Sequence, residues 1–232
     1  DTLDVDNALT LTSGTLDAHS TENNSITVGG NLVNNATFTP RSGTVIFDGA
    51  GTQTFNSGGT SSGKTFYNIT HSGAGTVTLP NAVSMTGAFT NSAGTWDANG
   101  KAVTVTGLAT VSGGTYYARI GTQTFGGLTI SGGTFTGAGG TVDVNGAMTL
   151  SSGTLTAPSG TFTVSGNWAV SGGTFTAGTG TVTLDGTSAT LTITSTSTSF
   201  YDLTLNGSGA TWTLEDTLDV DNALTLTSGT LD

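Results

Sequence analysis

Residues 134–153 read TFTGAGGTVDVNGAMTLSSG, and this stretch decides the fold. It contains three short runs, TFT, TVDV and AMTL, each bounded by Gly, Ser or Asn. Within each run apolar and polar side chains alternate. A period of two gives a strand one buried and one exposed face. Glycines at the boundaries supply the positive-φ conformations that sharp corners require. Three strands and three corners in about 20 residues make one triangular coil. Helix is a poor alternative, because Gly, Thr, Ser, Val and Asn are weak helix formers and no helical periodicity is present.

The stretch is one of a series. Ser-Gly-Gly-Thr-aromatic motifs read SGGTYY at 112–117, SGGTFT at 131–136, SSGTLT at 151–156 and SGGTFT at 171–176. Thr95, Thr115, Thr134, Thr154 and Thr174 follow one another at intervals of 20, 19, 20 and 20. A period near 20 belongs to solenoids, in which each repeat stacks on its neighbours. The rival is an antiparallel sandwich with Asn-Gly hairpins at 99–100, 145–146 and 206–207. The close succession of strands leaves roughly four residues for each, short for a sandwich but acceptable where each strand is paired above and below. The expectation is therefore an all-β, parallel β-solenoid with three short strands per coil, continuous over residues 1–232.

Alternation then assigns the core. Inward positions are Phe38, Trp96, Phe135, Leu155 and Phe175 on first strands, with Leu16 beside them. Val142, Val144, Phe162, Val164, Val182, Leu184, Trp212 and Leu214 are inward on second strands, and Trp168 on a third. The intervening threonines face outward.

A larger repeat lies over the coils. Residues 1–17 and 216–232 both read DTLDVDNALTLTSGTLD, a perfect match at an offset of 215. A shared strand pattern preserves hydrophobicity but not every Asp and Asn. The match therefore reads as a duplicated unit running from Asp1 to Glu215 and starting again at Asp216. Nine coils are expected between Thr15 and Thr230, a unit length on the order of 43 Å at the parallel-strand spacing. Two coils read as longer than the rest, with extended loops at 56–64 and 194–199. No cap is evident for the strand edges at either end, and such edges pair with further strands unless covered.

Composition narrows the function. The chain has no Cys, 37 Gly, and 15 Asp+Glu against 4 Lys+Arg, a net charge of −11. The four cations, Arg41, Lys64, Lys101 and Arg119, are too scattered for a phosphate-binding stripe, so no nucleic-acid partner is expected. No apolar run is long enough to span a membrane as a helix. The chain opens on Asp1 and shows no signal peptide, so it reads as a mature piece of something longer. His19 and His71 are expected in exposed loops, no Walker A, HExxH, GxSxG or CxxC motif is present, and a non-enzymatic role is expected.

Two candidate sites remain. Glu215, Asp216, Asp219 and Asp221 bring four carboxylates close together in the chain, with Asp1, Asp4 and Asp6 in the first copy. Calcium takes six to eight such oxygens, so calcium is the candidate ion, set against a solvated acidic face. Thr-x-Thr pairs at 76–78, 134–136, 154–156, 161–163, 174–176, 181–183 and 211–213 suggest an ice-binding face, interrupted by Asp143 and the TQTF segments. Thr is also favoured on any exposed strand.

GTVIFDGAGTQTF (43–55), FYNIT (66–70), GTVTL (75–79) and SGGTFTAGTGTVTLDG (171–186) resemble the large β-strand-repeat surface proteins of bacteria. More loosely, the chain is similar to autotransporter passengers and filamentous-haemagglutinin-type adhesins. The resemblance implies a secreted, cell-surface, filament-forming or adhesive role and supplies no catalytic residues. The partners expected are other copies of the unit, stacked end to end or joined in tandem, and a cell surface or polysaccharide for an adhesin.

Overall fold

The computed structural model describes residues 2–19 and 21–232. Among them there is no helix, and every strand pairing is parallel. The chain winds as a β-solenoid of about eleven coils. Its coils are followed most directly on one face, where a single inward column of partners runs Leu3, Ile26, Val45, Ile69, Phe89, Ala109, Leu128, Met148, Trp168, Ile193 and Leu214. The coils differ in length: Val45 follows Ile26 closely, whereas Trp168 and Ile193 are separated by a longer excursion.

The second face carries Val77, Trp96, Tyr116, Phe135, Leu155 and Phe175 inward. At its lower end stand Leu9, Leu32 and Phe55, the last in the strand Thr52–Asn56 that also pairs with 76–78. The third face carries Val83, Val103, Gln123, Val142, Phe162, Val182, Leu203 and Leu224. Along the chain the order is first, second, third, then first again. Some strands, such as Gln123–Ala138, keep strand geometry around a corner.

Corners are tight because coils approach one another closely there. Gly153 and Gly173 adopt φ of +82° and +78°, and a Cβ at Gly153 would collide with the Gly133 carbonyl oxygen one coil below. Glycine in the Ser-Gly-Gly-Thr motif meets both demands. Arg41 and Arg119 also sit at positive φ, 53° and 60°. Each reaches back to an aspartate of the preceding coil through a two-pronged bond: Arg41 Nε and Nη2 to Asp17 at 2.8 and 2.6 Å, and Arg119 to Asp97 at 3.0 and 2.8 Å. The planar guanidinium matches the carboxylate in this geometry. It holds Asp17 and Asp97 below the usual carboxylate range, the hydrogen bond from arginine being the main cause.

The core is a narrow stack of large side chains. Phe38, Trp96, Phe135, Val142, Val144, Leu155, Phe162, Val164, Trp168, Phe175, Val182, Leu184 and Trp212 are all buried. Leu16 and Leu214 are only half-buried, because each lies within a coil of an end. Phe135 stacks on Tyr116 with ring centroids 5.0 Å apart and meets the edge of Phe125 at 6.1 Å.

Three expectations change, and two inward residues are new. There are more coils than nine: Leu3 reaches Leu214 in ten steps of one column, and the copy of Leu3, Leu218, lies one strand further on. The duplicated unit thus spans ten and one-third coils, about 50 Å at the parallel-strand spacing. Coils outside 95–174 lack the regular Ser-Gly-Gly-Thr marker, which is why counting by motif misses turns. The second long insertion lies at 185–190, between Thr181–Leu184 and Leu191–Thr194, whereas 194–199 is an ordinary corner. His19 is exposed as expected, but His71 is fully buried in the strand Asn68–His71. Finally, Gln53 and Gln123 occupy inward positions, their amides donating to the Val28 and Gly30 carbonyls and to the Lys101 carbonyl respectively.

Phe135→Ala removes a ring enclosed by two other rings and should destabilise the chain by about 3–5 kcal/mol. Denaturant unfolding followed by circular dichroism measures this, and a midpoint equal to that of the parent would refute the core assignment.

Candidate functional site

The duplicated segment forms both terminal coils, and it uses a different side in each. In the first copy Leu3, Val5, Leu9 and Leu16 pair with the coil that follows, at Ile26, Val28, Leu32 and Phe38. In the second copy Val220, Leu224, Leu226 and Leu231 pair with the coil that precedes, at Phe200, Leu203, Leu205 and Trp212. Among the described residues no strand pairs with the outer side of either end coil. Most inward residues of middle coils are 0–2% exposed, but Leu3, Leu224 and Leu226 are 41%, 48% and 53% exposed. These leucines lie at the open ends of the solenoid.

The polar residues of the segment divide in the same way. In the second copy Asp216 accepts from the Ser195 amide at 2.9 Å, the Ser195 hydroxyl at 3.0 Å and the Thr196 amide. Burial works to raise its carboxyl, but these bonds outweigh burial and hold it below the usual range. Asp221 accepts from the Ser199 hydroxyl at 3.0 Å, and the Asn222 amide donates to Asp202 at 2.7 Å. In the first copy Asp17 is held from above by Arg41. Its counterpart Asp232 is the last residue and lies on the exposed end coil.

Among the described residues no three His, Asp or Glu side chains converge in a group able to hold a metal ion, and Glu215, Asp216, Asp219 and Asp221 do not stand together as one group. Asp216 and Asp221 instead bond the coil below. Asp1 of the first copy lies outside the described residues.

The threonines are better ordered than the sequence suggests. On the second face Thr52, Thr76, Thr95, Thr115, Thr134, Thr154 and Thr174 stand in register through seven consecutive coils. A parallel rank two positions on holds Thr54, Thr78, Thr136, Thr156 and Thr176, interrupted by Asp97 and Tyr117. Asp143 does not break this face, because it belongs to the third, between Thr124 and Thr163. The first TQTF segment contributes Thr52 and Thr54 to the array. The actual break is a patch in which Arg119 binds Asp97 and lies 4.6 Å over the Tyr117 ring.

His71 is a structural rung. Its Nδ1–H donates to Asn91 Oδ1 at 2.7 Å, and the Asn91 amide donates to the Gly113 carbonyl at 2.9 Å. Burial lowers its pKa from the ordinary 6.5, the Asn91 bond working weakly the other way. Around and below pH 6.5 the unfolded chain therefore binds the proton more readily than the folded chain does, and stability is lost as pH falls. From pH 7 to 5 the parent should weaken by up to about 1.4 kcal/mol per pH unit, and His71→Gln should flatten that dependence. An unchanged slope in the variant, measured by urea unfolding across this range, would dismiss the role.

Comparison with protein-family models, with curated proteins and with solved structures found no match for this chain.

Proposed function

We propose that this chain is a structural repeat module of a long extracellular β-solenoid, serving as the shaft of a cell-surface filament, sheath or stalk. One observation carries the reading: the same segment, DTLDVDNALTLTSGTLD, forms a coil that pairs upward in one copy and downward in the other. Each side of that coil thus has a partner strand surface built into the unit. A surface dominated by Thr, Ser and Gly suits a shaft. On this reading the role is mechanical, with backbone hydrogen bonds running along the axis and the inward stack excluding water. The related alternative, the repeat region of a long adhesin, shares the shaft and adds a ligand on a cell or polysaccharide.

Native material imaged by electron microscopy should show fibres with an axial rise of about 50 Å per unit at the parallel-strand spacing. Short separate rods would overturn the filament reading.

A second reading is favoured by the threonine face. Seven hydroxyl-and-methyl side chains in strict register on a rigid sheet form a surface that can order water into a lattice, so ice binding is the function such a face would serve. Thermal hysteresis should then be measurable and should fall severalfold in Thr134→Tyr. Ice that grows unshaped at millimolar protein would end this reading.

A further inference from the structure

The unit does not contain a whole number of coils. In the first copy Val5 lies on the first face, Leu9 on the second and Leu16 on the third. Leu16 is placed there by its partner Phe38, which packs at 5.1 Å on Phe66, itself bridged to Met85 of the third face. In the second copy the equivalents have each moved on by one. Val220 stands over Phe200, which lies 5.8 Å from Phe175 of the second face. Leu224 stands over Leu203 on the third face, and Leu231 over Trp212, in the strand that carries Leu214 on the first.

We infer that units join by sharing this coil in one continuous chain, and that each unit is thereby turned by one face relative to the last. The inference rests on the reading of the chain as a repeat module. The occupant of the open end is a second copy of this sequence, beginning at its residue 18. Joined in this way, Leu224 lies between Leu203 below and the next copy's Leu32 above, and Asp232 meets the next copy's Arg41 as Asp17 meets Arg41 here. The shared coil then has all its polar contacts at once: Asp216 on the unit below and Asp232 on the unit above.

The consequence is a rod whose decoration winds around it. The threonine ladder and the loop at 57–67 occupy each of the three faces in turn, and the pattern recurs after three units, about 150 Å at the parallel-strand spacing. Whatever one face contacts is offered in three directions along the shaft. Lateral contacts of this kind build a bundle or mat and not a flat ribbon.

The absence of cysteine makes a direct test available. Residues 1–232 followed twice by residues 18–232 give a three-unit chain, and Ser62→Cys in each unit places one thiol in an exposed loop. After reaction with a maleimide gold cluster, electron microscopy should show straight rods with marks about 50 Å apart axially, each on a different side. Marks along a single edge would overturn the one-face shift, and rods hinged between units would overturn the shared coil. Neither result would touch the filament reading, which fails only if native material lacks fibres; that failure would in turn leave the label pattern standing.

Discussion

The parallel register between one coil and the next is the constraint on which the rest depends. Most strands are only three to five residues long, too short to hold their place alone. Each is held because its backbone groups bond to the coils above and below, and because its one or two inward side chains stand on the same kind of residue. The core is only one or two side chains wide on each face, so a column such as Val77, Trp96, Tyr116, Phe135 and Leu155 is both the hydrophobic core and the ruler of the fold. A slip of one residue would turn every side chain of that strand to the wrong face.

Corners must absorb whatever the register leaves over. Where the coil is short, glycine in the left-handed region closes it and lets carbonyls of the coil below approach. At Arg41 and Arg119 an L-residue takes that conformation, and the guanidinium of each corner residue clamps an aspartate one coil down. The few charges of this protein thus serve largely as coil-to-coil bonds. Lys64 follows the same logic, its ammonium capping the carbonyls of Asn34 and Ala36 under the long loop. A cation used in this way is committed to the neighbouring coil.

An interior this narrow also explains the buried polar residues. Gln53, Gln123, His71 and Asn91 sit where an inward side chain can reach a backbone carbonyl or another polar side chain at a corner. Their bonds tie strands of different coils together, and the polar groups are costly to bury otherwise. They were legible in principle. In TQTF and NITH the phase of the alternation puts Gln53 with Phe55 and His71 with Ile69, and residue polarity obscured what the phase made plain.

Strand positions, glycine corners, the apolar inward residues and the long repeat are written in local pattern, because alternation and glycine placement act over short distances along the chain. How many coils the repeat spans, which threonines share a face, which polar residues turn inward and what the acidic segment bonds to follow from the packing of whole coils. Those depend on how much chain each corner absorbs before the next strand finds its partner. That length is set by pairing with the preceding coil, and no local pattern records it. The extra third of a coil in each unit is the plainest case: identical residues, Leu9 and Leu224, stand on different faces because what they pack against differs.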